Sequence, residues 1–245
     1  MKHNNDMPLW FLIIIFVVLL QMVFANSALS VLALPQFESR EGQARLEQNA
    51  LQGSPEASDK IVHVLALFPG SDKFYWATIA AENNSNNGAV NMANFLSDPG
   101  TNGVELYGDY KRDRQHFWLK IAAKNNDTDA QKLLQKYFSD VSKMRIEPEK
   151  EISTWVVTKK TLPKFKRAAM LGSSEAAYKL YEHFRFSNPR QKESFFWATV
   201  AAQNGHPKAP SVVGKIMLKS ENPLDRERAQ FWLGKASASG QRATR

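Results

Sequence analysis

The sequence contains no cysteine among its 245 residues. A chain without cysteine cannot form a disulfide framework or a thiolate metal site, and it cannot carry a lipid on an N-terminal cysteine. Common catalytic motifs are also missing, since there is no G-x-S-x-G nucleophile elbow, no phosphate-cradling loop and no H-E-x-x-H zinc motif. The five histidines are scattered along the chain. The sequence therefore predicts a protein that is not an enzyme and that binds no cofactor or metal.

One long apolar run extends from Leu9 to Ala25. It ends in Val23-Phe24-Ala25, an acceptable cleavage signal, so residues 1–25 are interpreted as a signal peptide followed by a linker over 26–42. The apolar character resumes after Asn26-Ser27, and a membrane anchor of roughly 20 residues is an equal alternative. Under either interpretation the rest of the chain is periplasmic or otherwise extracytoplasmic, and it is either soluble or attached to the inner membrane.

Positive charge is concentrated in the later part of the chain. Residues 1–103 contain 5 Lys+Arg against 9 Asp+Glu, whereas residues 104–245 contain 27 against 15. An electropositive surface of this kind steers the protein towards an acidic protein partner or an anionic membrane surface. The alternative is that the charge serves solubility alone. Nucleic acid is not expected as a partner, because aromatic and basic residues are not interleaved in the way that base stacking requires.

Six positions fall at the same place in a recurring pattern: Gly53, Asn84, Asn126, Gly172, Gly205 and Gly240. Only Gly and Asn adopt the left-handed conformation at low cost, so each is expected to end a helix. Eight residues before four of them stand Trp76, Trp118, Trp197 and Trp232, while Arg45 and Lys164 take that place in the other two. Pairs of small residues follow the aromatic positions at helical spacing: Ala80-Ala81, Ala122-Ala123, Ala168-Ala169 and Ala201-Ala202.

Each recurring unit therefore predicts a helical hairpin, because the aromatic residue and the alanine pair share one helix face and a small residue opens the second helix. The expected fold is all-α, a right-handed α/α superhelical solenoid over residues 43–240. Its units start near residues 43, 72, 113, 161, 191 and 225, and a basic tail occupies 241–245.

Residues 140–160 form an irregular insertion between two units. Thr154 to Thr158 has the composition of a short strand or an ordered loop. Insertions in repeat arrays often lie on the binding face, so this segment is a candidate partner-binding site. Its candidate residues are Trp155, Lys150, Lys159, Lys160, Lys164 and Lys166. The alternative is that Trp155 only packs over the solenoid.

The pattern W-x3-A-A-x2-[GN]-x3-A at Trp118–Ala130 and Trp197–Ala209 resembles the Sel-one-like repeat, a relative of the tetratricopeptide repeat. The resemblance covers roughly residues 43–240, with departures at Arg45, Lys164 and Gly88. It implies an α/α superhelix whose concave groove binds other proteins. Exported bacterial members of this family include immunity proteins that neutralise membrane-attacking effectors of type VI secretion.

Three functions follow as hypotheses. The leading one is an exported, non-enzymatic protein that binds a partner, in its most specific form by covering a secreted effector such as a phospholipase. The second is a scaffold or regulator of a cell-envelope complex. The third, of another class, is an envelope hydrolase, which nothing in the catalytic motifs favours.

Overall fold

The computed structural model describes residues 39–66, 73–98, 100–101, 104–143, 152, 154–186 and 191–243. The expected signal segment 1–25, most of the linker 26–42 and Lys150 lie outside these ranges. Residues 46–245 form one compact unit, and the contacts reported below lie within it. None of the helices in the described ranges is both long enough and apolar enough to span a membrane.

The regular secondary structure of the described part consists of eleven α-helices and one 3-10 helix. The α-helices are α1 (Arg40–Leu51), α2 (Pro55–Ala66), α3 (Lys73–Glu82), α4 (Asn86–Ser97), α5 (Lys111–Lys124), α6 (Thr128–Lys143), α7 (Leu162–Met170), α8 (Ser174–Phe186), α9 (Gln191–Gln203), α10 (Ala209–Met217) and α11 (Pro223–Ala243). The 3-10 helix, Glu105–Tyr110, leads directly into α5. The predicted all-α array is confirmed.

Four hairpins pack as helix pairs, α3 with α4 through α9 with α10. Helices α1 and α2 form a further hairpin, joined by the tight turn at Gly53, and α11 forms a sixth unit of a single helix. We number these units hairpins 1 to 6, although hairpin 6 has only its first helix within the described residues. The second helix of a hairpin packs against the first helix of the next at four of the five junctions. The junction between hairpins 3 and 4 differs, because α7 there contacts α5 more extensively than α6. The array is thus divided into a first half, α1–α6, and a second half, α7–α11.

The turn inside each hairpin depends on a left-handed residue. Positive φ is found at Asn84 (66°), Asn126 (64°), Gly53 (113°), Gly172 (113°) and Gly205 (88°). In the first turn the Gly53 N–H donates to the carbonyl of Ala50 (3.1 Å), and the next N–H donates to Asn49 (3.0 Å). These bonds satisfy the carbonyl groups that the end of a helix leaves free. The predicted left-handed ends are confirmed at these five positions.

The sixth position departs from the prediction. Helix α11 continues through Gly240 to Ala243, so the expectation that Gly240 ends a helix is wrong, and residues 241–243 belong to the helix and not to a separate tail. The physical reason is that no second helix follows within the described residues, so the chain has no reversal to make there.

The core lies between the helices at the repeat columns. Trp76, Trp118, Trp197 and Trp232 are all buried, as are the alanine pairs at 80–81, 168–169 and 201–202. In hairpin 3, Ala122 is buried and Ala123 is half-buried. Gly88 allows the closest approach of two helices, because a Cβ atom there would lie 2.4 Å from the backbone nitrogen of Ala81.

Hairpins 1 and 4 shift their apolar position by one residue. Arg45 and Lys164 occupy the aromatic column and are exposed, whereas Leu46 and Phe165, one residue later, are buried. The left-handed glycines of both hairpins keep their places. In these two hairpins the buried apolar side chain therefore stands one residue later than in the repeat pattern, and the position of the turn is unchanged.

Candidate protein-binding surface

The predicted insertion over 140–160 begins too early, because residues 140–143 continue helix α6. Its other described residues, 152 and 154–160, form a loop without strand pairing. Two threonines fix it to the start of α7. The Thr161 hydroxyl donates to the carbonyl of Val156 (2.8 Å) and accepts from the backbone N–H of Thr158 (2.8 Å). Of the two conformations expected for Thr154 to Thr158, the structure has the ordered loop.

Two apolar side chains of this loop reach solvent. Trp155 is 40% exposed, and its ring meets the buried Phe165 edge-on with 5.8 Å between ring centroids. Val156 is 63% exposed. Part of the Trp155 ring therefore packs over the helices and part is exposed, and its role in partner binding stays a prediction.

Three lysines come shortly after this apolar pair in the sequence. Lys159 and Lys160 follow it in the loop, and Lys164 lies in the first turn of α7; all three are exposed. We call Trp155, Val156, Lys159, Lys160 and Lys164 the insertion surface.

Lys166, also a candidate from the sequence, has a different environment. Its ammonium nitrogen lies 3.6 Å from the carboxylate of Glu193 and 5.7 Å from the ring centroid of Phe184. Its charge is balanced inside the second half, so it contributes less to an external surface than Lys164 does.

A cleft of about 340 Å³ lies elsewhere, against α2, α4 and the start of α6. Its lining includes the apolar residues Val62, Val90 and Phe95 and the carboxylates Asp59 and Asp127. The Asp59 carboxylate accepts hydrogen bonds from Ser85 and Asn87, while burial raises its pKa above the usual value. Among the described residues no group of three or more histidines and carboxylates could hold a metal ion.

Sequence reasoning missed a buried polar cluster that joins distant helices. Arg228 of α11 donates to the carboxylate of Glu82 at the end of α3 (3.1 Å) and to the carbonyls of Ala50 (3.3 Å) and Leu51 (3.0 Å). Lys235, also in α11, donates to the backbone carbonyl of Glu82 (3.0 Å). The last helix is thereby tied to hairpins 1 and 2.

A second set of contacts joins α5 to α9. Arg114 donates to the side-chain oxygens of Gln203 and Asn204, both at 2.7 Å. Gln203 in turn donates to Glu82 (2.8 Å), which connects this set to the first. The two arginines and Glu82 are buried, with both arginines at 0% exposure.

Burial controls the protonation of this cluster. It lowers the pKa values of Arg228 and Lys235, an effect that Glu82 partly offsets. It lowers the pKa of Arg114 to about 10 and raises that of the neighbouring Tyr107 to about 12. At neutral pH Arg114 therefore stays charged and Tyr107 neutral, and the cluster acts as a structural contact between helices.

The described hairpins, with a left-handed Gly or Asn at each turn and Trp and Ala columns between helices, form an all-α array of helical-hairpin repeats. A crystal structure of a Sel1 repeat protein from Oxalobacter formigenes is similar to this chain, with 21% sequence identity and a TM-score of 0.30. The matched region covers 77% of this chain and 74% of the Oxalobacter chain. Because that superposition is loose, the assignment of the fold rests on the hairpins themselves. No protein-family model and no curated protein matches the chain.

Proposed function

We propose that this chain is a non-enzymatic repeat protein that binds a partner protein through its insertion surface. The observation that carries the proposal is the exposed pair of Trp155 and Val156, followed within eight residues by the exposed lysines Lys159, Lys160 and Lys164. Exposed aromatic residues in partly formed pockets contribute much of the binding energy in protein interfaces. Surrounding charges add orientation and association rate.

The local structure of the loop supports this use. The threonine hydrogen bonds and the contact of Trp155 with Phe165 hold the loop in place before a partner arrives. A prepositioned side chain loses less conformational entropy on binding than a free one. The insertion surface can therefore act as a rigid anchor.

The chemistry of the surface favours an acidic partner. Three lysines follow the apolar pair, and residues 104–245 carry 27 basic against 15 acidic side chains. A partner with carboxylates around an apolar depression would complement both features, and its association would slow as salt is added.

In its most specific form, the proposed function is neutralisation of a secreted effector outside the cytosol. The partner would be covered by the repeat array, so that its membrane-directed or catalytic face is occluded. The apolar segment over residues 9–25 supports an extracytoplasmic location, and the basic surface supports an acidic target. Scaffolding of an envelope complex would use the same surface with a structural partner, whereas a hydrolase would need a reactive centre.

The test compares three baits prepared as residues 26–245: the unchanged chain, Lys159→Glu/Lys160→Glu/Lys164→Glu, and a control with Lys208→Glu/Lys215→Glu/Lys219→Glu. The control lysines are also exposed and also lie in the second half, so both variants change the net charge equally. The partner is the envelope or secreted protein that the unchanged chain and the control retain at equal stoichiometry and that the insertion variant loses. Equal retention by both variants would contradict the assignment of the insertion surface.

The retained partner then identifies the form of the function. An enzyme whose turnover stops when the complex forms supports neutralisation by occlusion, whereas a structural envelope protein supports scaffolding. Turnover of cell-wall or lipid substrates by the purified chain alone would replace both with the hydrolase.

A further inference from the structure

The two halves of the chain repeat each other at a scale larger than one hairpin. Hairpin 2 contains FYWATIAAEN at residues 74–83, and hairpin 5 contains FFWATVAAQN at 195–204. Hairpin 3 contains RDRQHFWL at 112–119, and hairpin 6 contains RERAQFWL at 226–233. Hairpins 1, 2 and 3 thus correspond to hairpins 4, 5 and 6.

Equivalent asparagines make equivalent bonds. The side-chain amide of Asn83 donates to the carbonyls of Ala50 (2.8 Å) and Ser54 (3.2 Å). The side-chain amide of Asn204 donates to the carbonyls of Ala169 (2.7 Å) and Ser173 (3.1 Å). The acceptors flank the left-handed glycine in both cases, so the second hairpin of each half is attached to the first in the same way.

Equivalent phenylalanines reach across from one half to the other. Phe117 of hairpin 3 lies against Gly172 of hairpin 4, where a Cβ atom would be 3.0 Å from the ring. Phe231 of hairpin 6 lies against Gly53 of hairpin 1, where a Cβ atom added to the glycine would be 2.9 Å from the Phe231 ring. The third hairpin of each half therefore contacts the first hairpin of the other.

Equivalent arginines follow the same rule. The guanidinium of Arg114 lies 3.8 Å from the centroid of the Phe117 ring, and that of Arg228 lies 3.5 Å from that of Phe231. Arg114 donates to the second half, where its side-chain partner Asn204 lies 90 residues later in the sequence. Arg228 donates to the first half, where its side-chain partner Glu82 lies 146 residues earlier. Each stacked arginine and phenylalanine inserts into the opposite half.

The two halves meet at a pair of equivalent positions. Glu82 and Gln203 each stand six residues after the Trp of their helix, and they are hydrogen-bonded to each other at 2.8 Å. Contact between equivalent residues is what a two-fold axis requires. A two-fold axis that related the two halves would pass near this bond.

We infer that residues 46–243 are an internal duplication of a three-hairpin half, closed by two reciprocal clasps, Arg114-Phe117 and Arg228-Phe231. The inner face that carries Glu82 and Gln203 is a protein-binding surface whose occupant is the other half of the same chain. A partner protein therefore has no access to this face while the clasps are closed, which leaves the insertion surface outside it.

The test uses the full chain with a protease site placed within residues 144–151, so that folding precedes cleavage. After cleavage the two halves are expected to stay together as one particle in size-exclusion chromatography at micromolar concentration. In Arg114→Leu/Arg228→Leu their dissociation constant should rise at least tenfold. The matched control is Arg112→Leu/Arg226→Leu, which makes the same change two residues earlier on the same helices at exposed positions.

Halves that separate in the unchanged cleaved chain would overturn the inference, as would a clasp variant that holds together as tightly as the control. If circular dichroism shows that the clasp variant does not fold before cleavage, Glu82→Gln decides the matter. This change keeps a hydrogen-bonding partner for Gln203 and removes the charge opposite Arg228, so the dissociation constant should rise at least threefold. An unchanged constant would overturn the inference.

Discussion

The two arginine clasps occupy equivalent positions in the two halves but end on different acceptors. Arg114 donates to the neutral amide oxygens of Gln203 and Asn204, whereas Arg228 donates to the carboxylate of Glu82 and to backbone carbonyls. One acceptor differs because the position six residues after the Trp is Glu in hairpin 2 and Gln in hairpin 5. The other differs in the groups used, since Arg114 bonds the Asn204 side chain while Arg228 bonds backbone carbonyls and not the equivalent Asn83. Equivalent geometry thus tolerates either a neutral or an ionic contact.

The exchange of Glu for Gln also allows the two halves to meet. Two glutamates at the axis would place like charges in contact at a buried site, which is unfavourable. Glutamate facing glutamine gives one donor and one acceptor, with the single carboxylate satisfied by Arg228 and Gln203. The two halves therefore differ in sequence where they meet, with Glu82 against Gln203.

The largest effect is expected at the tryptophan column. Trp118→Ala and Trp232→Ala remove equivalent buried side chains, so each should lower the free energy of unfolding by about 3 to 5 kcal/mol. Trp155→Ala is the control and should cost about 1 kcal/mol or less, because the ring is 40% exposed. Urea denaturation gives all three values. A much smaller loss at Trp232 than at Trp118 would mean that the two halves are not equivalent in their packing.

The clasps should differ in their cost. Arg228→Leu leaves the Glu82 carboxylate buried without its guanidinium, which should cost about 3 to 5 kcal/mol. Arg114→Leu leaves neutral amide oxygens without a donor and should cost about 1 to 3 kcal/mol. Double-mutant cycles that combine Glu82→Gln with Arg228→Leu and with Arg114→Leu measure the coupling energy between Glu82 and each arginine. The comparison fails if Arg114 proves more strongly coupled to Glu82 than Arg228 is.

The close approach of α3 and α4 is specific to the first half. Gly88→Ala would place a Cβ atom 2.4 Å from the nitrogen of Ala81, and such overpacking should cost about 1 to 3 kcal/mol. Gly234→Ala in α11 is the control, since it has open space around the new atom and should gain up to about 1 kcal/mol from helix propensity. Thermal denaturation monitored at 222 nm distinguishes the opposite signs.

Acid should destabilise the first half through His116, which the second half replaces with Gln230. Burial lowers the pKa of His116 from 6.5 to about 4. Between those two pH values the unfolded chain binds a proton that the folded chain does not, so stability falls as the pH drops through this window and the loss levels off below it. The free energy of unfolding falls between pH 7 and pH 4.5, and in His116→Gln this fall should be smaller by about 2 kcal/mol than in the unchanged chain. An unchanged pH dependence would show that His116 accepts the proton without loss of structure.

The smallest effect is expected at the hairpin turns. Asn84 (φ 66°) and Gly205 (φ 88°) are equivalent left-handed positions, and asparagine adopts this conformation more readily than other residues with a side chain. Gly205→Asn should change stability by less than about 1 kcal/mol, while Gly205→Val should cost clearly more because a β-branched residue is strained there. Urea midpoints of the two variants test this order.

The sequence predicts the hairpins well because their determinants are local. A left-handed Gly or Asn, an aromatic residue eight positions earlier and an alanine pair between them are all read within one helix and its turn. Gly240 fits the same columns but lies inside a continuous helix. A turn of this kind also needs a second helix after it, and the residue at the turn position does not show whether one follows.

The closure of the array was not predicted because its contacts join residues far apart in sequence. Lys166 likewise looked like a free cation, although Glu193 of the next hairpin lies beside it. A signal for the closure exists in the sequence, since the R-[DE]-R-x2-F-W-L segments at 112–119 and 226–233 are more alike than the repeat pattern demands. This similarity becomes visible when the sequence of the first half is aligned with that of the second half. It is not visible when single hairpins are aligned with one another.

The position of Arg228 near the end of the chain has a consequence for biosynthesis. A chain that emerges from its N-terminus presents Glu82, Ala50 and Leu51 well before Arg228, their partner in α11, has been made. Helical hairpins form from local contacts and fold quickly, but closure over 146 residues has to wait for the last helix. The Glu82 carboxylate and the Ala50 and Leu51 carbonyls therefore wait without their arginine until α11 has been synthesised.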